Sequence, residues 1–164
     1  MEVDVRTSMV FLMGLLLGSL VAPGLAQGPR LTGENYVNHV GIAFDDFDGA
    51  LEFYTQKMGF REAFVLRNAE GQPTLAYVQA NRNTFVEIQR TNATRPQGIS
   101  HYGLFVEDLN TTVATLKQRG VTVTDPRQGE DSLSANATDP AGVRIEMFQF
   151  GPDSAQGKAI SSWK

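Results

Sequence analysis

His39-Val40-Gly41-Ile42-Ala43-Phe44-Asp45-Asp46 lines up with His101-Tyr102-Gly103-Leu104-Phe105-Val106-Glu107-Asp108, 62 residues further along the chain. His39 and His101 are the only two histidines, and each opens a His-x-Gly triplet in an apolar, strand-like run. A helical stretch follows each copy and stops at Gly59 and Gly120. Glu87, in Val86-Glu87-Ile88, then matches Glu146, in Ile145-Glu146-Met147, at an offset of 59. An internal repeat with so little slippage indicates two equivalent structural units. The chemistry-bearing residues run His, Glu, His, Glu, one pair in each unit.

Composition narrows what such a chain does. With 164 residues, 41% of them hydrophobic, it can bury one compact core or two half-domains sharing one. A formal charge of -4, without a basic block, argues against a nucleic-acid partner. The absence of cysteine excludes disulfides, thiolate metal ligands and a cysteine nucleophile. Val10 to Ala22 is an apolar run of 13 residues, short of the roughly 20 that a membrane span needs. Pro23-Gly24-Leu25-Ala26 adds a small-residue cleavage pattern, so residues 1–26 are expected to be a signal peptide cut after Ala26. The expected location is secreted or periplasmic, with no stable membrane insertion after cleavage; an uncleaved N-terminal anchor is the alternative.

Residues 27–35 are polar and predict a flexible lead-in. The first unit, 36–90, reads β-α-β-β-β. Val37 to Phe44 predicts a strand with His39, Gly41 and Ala43 on one face and Val40, Ile42 and Phe44 on the other. Asp45-Asp46 caps a helix running to about Met58, with Phe47, Ala50, Leu51, Tyr54 and Met58 as its stripe. Strands are expected over Phe60–Asn68, Pro73–Ala80 and Thr84–Arg90, the last placing Phe85, Glu87 and Gln89 on one face. The second unit, 99–150, repeats the plan. It has a strand over Ile99–Val106, a helix capped by Asp108, and a short strand over Val121–Thr124. After a loop over Asp125–Asp131 come strands over Leu133–Thr138 and Val143–Phe150. The tail, 151–164, is left to dock on the core or on a second subunit.

The four special residues share the face turned away from the helices. Two half-sheets facing each other would bring His39, Glu87, His101 and Glu146 together. Two imidazoles and two carboxylates form a borderline-to-hard ligand set for one divalent ion: Zn, Ni, Co, Mn or Fe(II). A buried carboxylate is costly without a countercharge, and a cation meets that need. A single strand histidine is commonly only a hydrogen-bonded structural residue; the matched quartet is what points to a metal. Phe85, Phe105, Phe148 and Tyr77 are candidates to line a substrate pocket, with plain core packing as the alternative. Arg144 and Arg90 are candidates to meet an anionic substrate.

The arrangement resembles the vicinal oxygen chelate superfamily, which includes glyoxalase I, methylmalonyl-CoA epimerase, extradiol dioxygenases and the bleomycin- and fosfomycin-resistance proteins. The resemblance is carried by His39 to Phe44, Ala50-Leu-Glu-Phe-Tyr-Thr-Gln-Lys-Met-Gly-Phe60, Phe85 to Ile88, Ile99 to Asp108 and Asp139-Pro-Ala-Gly-Val-Arg-Ile-Glu146. It implies an α+β fold in which two tandem βαβββ modules form a curved mixed sheet around a metal-binding cavity, over about residues 36–150. It implies His39, Glu87, His101 and Glu146 as metal ligands. It also implies Glu146, with Glu87 as the other candidate, as the base that takes a proton next to a carbonyl while the ion acts as a Lewis acid. Two departures are visible. Ala43 stands where glyoxalase I has an arginine for the glutathione carboxylate, and Glu87 stands where the epimerases have glutamine.

The expected function is an exported, divalent-metal-dependent, glyoxalase-like lyase or isomerase that acts on a small oxygenated substrate. A possible homodimer goes with it, since the superfamily pairs modules both within a chain and across dimers. The alternatives are an Fe(II) extradiol-type dioxygenase and a metal-free module that binds a small molecule or antibiotic.

Overall fold

The computed structural model describes residues 28–164 apart from Glu130. The chain divides into Met1–Arg30 and Leu31–Lys164, and every element below belongs to the second unit. The expected signal peptide and its cleavage point lie outside the described residues. Among the described residues no helix is long and apolar enough to cross a membrane.

The first half runs β1 (Asn35–Phe44), α1 (Phe47–Glu52), β2 (Arg61–Arg67), β3 (Pro73–Asn81) and β4 (Thr84–Arg90). The second runs β5 (Gly98–Val106), α2 (Leu109–Gln118), β6 (Arg127–Gln128), β7 (Ser132–Thr138) and β8 (Arg144–Phe150). A last helix, α3 (Ala155–Ser161), follows. Asp46 and Asp108 cap α1 and α2 as expected, their side chains accepting from the backbone N–H of Gly49 and Thr111 at 2.9 Å. Each carboxylate satisfies a donor that the first helical turn leaves orphaned.

All eight strands form one sheet in the order β2-β3-β4-β1-β5-β8-β7-β6. β1 pairs parallel with β4, and β5 pairs parallel with β8, so each half has the same internal plan. The halves meet where β1 and β5 pair antiparallel. The α+β fold of two tandem βαβββ modules in a curved mixed sheet is therefore present. The pairing that the sequence left open is made within one chain, where the two half-sheets join edge to edge. Pairing β1 with β5 satisfies the backbone groups that two separate edges would leave open.

Alternation along the strands divides the side chains between two faces. On the outer face α1 covers Ala76, Val78 and Ile88, burying Phe47 and Ala50 against them. There α2 covers Ala135, Ala137 and Met147 with Leu109 and Val113. The inner face of the first half is covered by α3, where Ala159 and Ile160 pack on Tyr77, Phe85, Phe64 and Leu75. The tail thus docks on the core of its own chain.

Two local expectations fail. The first helix does not run regularly to Met58. After Glu52 it widens into a π-helical turn over Phe53–Lys57, with Met58 N–H donating to Phe53 O at 2.9 Å. An i→i+5 turn holds one residue more than an α turn and rotates the next side chains off the stripe. Met58 is accordingly 51% exposed, while Tyr54 still packs on the core. In the second half, Val121–Thr124 forms no continuous strand. Val123 makes one isolated bridge to Ala137, and the outermost strand is β6, further along at Arg127–Gln128. Val121 and Val123 are used instead to fill the cluster beneath α2.

Candidate metal centre

The register across the central strands explains why His-x-Gly recurs. His39 on β1 lies opposite Gly103 on β5, and Gly41 lies opposite His101. On the other side Gly41 pairs with Glu87 of β4, and Gly103 with Glu146 of β8. Each glycine therefore sits between the glutamate of its own half and the histidine of the other. His39 and His101 are 1% exposed, and the site glycines leave the inner face clear for their rings.

The four predicted site residues converge. His39 Nε2 and His101 Nε2 are 3.0 Å apart. Glu87 Oε2 lies 2.9 Å from His101 Nε2 and 3.3 Å from His39 Nε2. Glu146 Oε2 lies 3.4 Å from both nitrogens. All four ligand atoms fall within 4.8 Å of one another. Ligand bonds of about 2.0–2.2 Å at tetrahedral or octahedral angles separate neighbouring donors by roughly 2.9–3.5 Å, so these spacings fit a divalent ion. Glu87 Oε2 is buried without a hydrogen-bond partner, which is the position a cation would satisfy.

The two glutamates differ in setting. The Glu87 side chain is 5% exposed and that of Glu146 is 24% exposed. Glu87 Oε1 accepts from Gln89 Nε2 at 2.9 Å. The residue two after Glu146 is Phe148, which offers no such bond; its ring lies 5.1 Å from that of His39. Burial alone would raise the Glu146 carboxyl, but the His101 and His39 rings, which donate to it and carry positive charge when protonated, hold it well below the usual carboxylate range. Burial alone would lower the His101 imidazole; the Glu146 and Glu87 carboxylates, which face the ring when it is protonated, outweigh this and raise it, and the Arg144 charge opposes them. Burial pushes the Tyr77 phenol well up, and the negative charges of Glu87 and Glu146 push it further. Its ring stands edge-on to His39 at 5.4 Å, a neutral wall of the site.

The other candidates separate. Phe85 and Tyr77 are packed beneath α3, and core packing accounts for Phe85. Phe148 borders the four-residue cluster, and Phe105 stacks on Tyr36 at 5.0 Å and meets Phe150 edge to face at 4.9 Å. Arg90 belongs to the outer layer, its guanidinium 4.7 Å above the Phe47 ring and its Nε donating to Pro73 O. Arg144 lines a cavity of about 450 Å³ together with Arg95 and Ser100. Three polar residues of the site escaped the sequence reading: Asn38, Ser100 and Gln89. His39 Nδ1 lies 3.2 Å from Asn38 Oδ1, and His101 Nδ1 lies 2.8 Å from Ser100 Oγ. Gln89 had one legible signal, its place on the Glu87 face of the same strand.

A curved sheet of paired modules around such a cluster defines a class, and the comparisons agree. The chain belongs to the Glyoxalase/Bleomycin resistance protein/Dioxygenase superfamily, whose family model matches residues 36–147. It is similar to the probable lactoylglutathione lyase of Vibrio cholerae, 28% identical over 121 residues, covering 68% of this chain and 88% of that protein. It is also similar to lactoylglutathione lyase GLX1 of Arabidopsis thaliana, 25% identical over 141 residues, covering 80% of this chain; the chain spans 50% of that protein's length. Among solved structures, methylmalonyl-CoA epimerase from Mycobacterium tuberculosis superimposes with a TM-score of 0.61 at 23% identity, covering 75% of this chain and 95% of that one. A hypothetical protein from Bacillus halodurans superimposes with a TM-score of 0.62 at 18% identity, covering 74% and 99%. These structural likenesses speak for the fold.

Proposed function

We propose that the chain is a divalent-metal enzyme of the glyoxalase-like kind, which moves a proton next to a carbonyl in a small oxygenated substrate. The observation that carries this reading is the convergence of four donor atoms, one of them a buried, unpartnered Glu87 oxygen. His39, His101, Glu87 and Glu146 would hold the ion. A bound divalent ion supplies Lewis-acid polarisation of a substrate oxygen.

The residues divide the remaining work. Glu87, buried and tethered to Gln89, is the fixed ligand. Glu146 is the more exposed carboxylate, ionised at neutral pH, and has no equivalent tether; it is the proton acceptor and later the donor. Phe148, Phe105 and Phe150 present an apolar wall that limits water on that side. We assign the substrate an anionic group, because Arg144 and Arg95 share a cavity that reaches Ser100 beside the ligand His101. The likeness to lactoylglutathione lyases supports the reaction type.

The aromatic wall also favours a second reading, oxidative ring opening with Fe(II). The ligand set weighs against it, because the resembling dioxygenases use two histidines and one glutamate, whereas here Glu87 is a fourth donor inside the cluster. The deciding experiment is metal analysis of untagged protein, followed by deuterium exchange into 2-hydroxycarbonyl acids in heavy water and by oxygen consumption with catechols. Metal-dependent exchange supports the proposal; oxygen uptake supports the second reading. No stoichiometric metal after reconstitution would leave a metal-free binding module. Export, which rests on residues 1–26 of the sequence, is a separate proposal tested by the mass of the mature chain.

A further inference from the structure

We propose that Asn38 and Ser100 are positioning residues that lock both imidazoles in the Nδ1–H tautomer and so turn two bare Nε2 lone pairs toward Glu87, and that Gln89 ties the second of these locks to Glu87 itself. Both locks sit in matched irregularities of the sheet. The β1–β5 pairing steps from Val37–Leu104 to His39–Gly103, leaving Asn38 as an extra residue; it then steps from Gly41–His101 to Ile42–Ile99, leaving Ser100 as one. Strict alternation would send the residue before each histidine to the helix-covered face. A bulge re-aims that residue beside the site.

The hydrogen bonds fix the tautomers. Asn38 Nδ2 donates to Asn83 O at 3.2 Å, which orients the amide and leaves Oδ1 facing His39 Nδ1. An amide oxygen only accepts, so Nδ1 carries the hydrogen. Ser100 Oγ lies 2.9 Å from Gln89 Oε1 and 3.1 Å from Gly41 O, both acceptors. The Gln89 orientation is set in turn by its Nε2, which donates to Glu87 Oε1 at 2.9 Å. The single hydroxyl hydrogen of Ser100 is thereby committed, and Oγ accepts from His101 Nδ1–H. Gln89 so connects a carboxylate of the first half to an imidazole of the second.

The consequence is a cluster in which the neutral rings offer no hydrogen to one another or to Glu87 Oε2. Such a site is built to take up a cation. Partners that fix the outer nitrogen of a ligating histidine commonly change metal affinity by about 10- to 100-fold when removed.

The affinity readout rests on the metal-centre reading above; the tautomer readout does not. Full-length protein labelled with ¹⁵N-histidine, kept free of added metal and raised in pH until the ring ¹⁵N shifts no longer change, gives the tautomers by long-range ¹H–¹⁵N spectra. The expected result is Nδ1–H at both rings. Ser100→Ala is expected to move His101 toward Nε2–H while His39 stays, Asn38→Ala to do the reverse, and Ser100→Thr to restore the parent spectrum. In chelator competition, zinc affinity should fall by about 10- to 100-fold in Ser100→Ala and Gln89→Ala and recover in Ser100→Thr. Nε2–H at either ring of the parent protein, or unchanged His101 spectra and zinc affinity in Ser100→Ala, would overturn the proposal. If the parent binds no zinc, the metal reading fails alone, and the spectra still decide the tautomer assignment.

Discussion

Gly103 lies directly beneath the His39 imidazole, so closely that a Cβ at this position would fall on the ring; Gly41 holds the same place beneath His101. Neither glycine has a positive φ, so the requirement is for space and not for backbone freedom. Each half of the repeat surrenders a side chain so that the histidine of the other half can lie flat over it.

Gly103→Ala should therefore be more harmful than a methyl group on an inner face ordinarily is. The buried ring has to move, and overpacking of this kind costs about 1–3 kcal/mol. Thermal or urea unfolding measures that loss. Zinc titration should show weaker binding, because the displaced ring is a proposed ligand. Gly71→Ala, at a hairpin tip with open space around it, is the control for glycine loss without a ring beneath, although its φ of 78° adds strain of its own.

The two glutamates should separate under conservative substitution. Glu146→Gln retains an oxygen donor and loses the proposed base, so turnover should fall by about 10²- to 10⁴-fold with metal content largely kept. Glu87→Ala removes the buried ligand and strands Gln89 and both imidazoles, so metal content itself should drop. Metal analysis beside steady-state kinetics distinguishes the two outcomes.

The pH dependence of stability should reverse with metal. Without metal, the raised His101 contributes stability that is fully present below about the ordinary value of 6.5 and lost as pH rises through its folded value. The depressed Glu146 contributes stability present above the ordinary 4.5 and lost as pH falls through its folded value. Metal-free protein should thus be firmest between these limits. With zinc, protons compete for the same Nε2 atoms, so the stabilisation added by the ion should grow as pH rises. Unfolding midpoints from about pH 4 to pH 9, with and without zinc, test both trends.

Arg144→Ala should raise KM for an anionic substrate by roughly 10- to 100-fold, the worth of one hydrogen bond to a charged group at about 1.5–3 kcal/mol. A neutral analogue should be little affected. Arg90→Ala should leave both KM values unchanged and cost some stability, since that side chain covers Phe47 on the outer face.

The donors and the paired modules were legible in the sequence because the repeat places His39, Glu87, His101 and Glu146 at equivalent, same-face positions. The locks were not. Simple alternation puts Asn38 opposite His39, and Ser100 opposite His101; only the two bulges, which depend on how β1 meets β5, bring each beside its ring. The π-helical turn was hidden for a similar reason. Phe47, Ala50, Leu51, Tyr54 and Met58 satisfy helical spacing, yet the last of them is rotated outward by a widening that periodicity does not encode. Val121–Thr124 has the branched residues of a strand, but the cluster beneath α2 claims Val121 and Val123 first.

The C-terminal helix makes access to the cluster one-sided. The donor set has near two-fold symmetry, but its surroundings do not. Because α3 closes the inner side of the first half, and no described helix lies over the inner side of the second, a substrate of the proposed enzyme would come in over the second half, on the side of Glu146. The direction of approach is thereby set by the last turns of the chain, outside the duplicated part that supplies the donors.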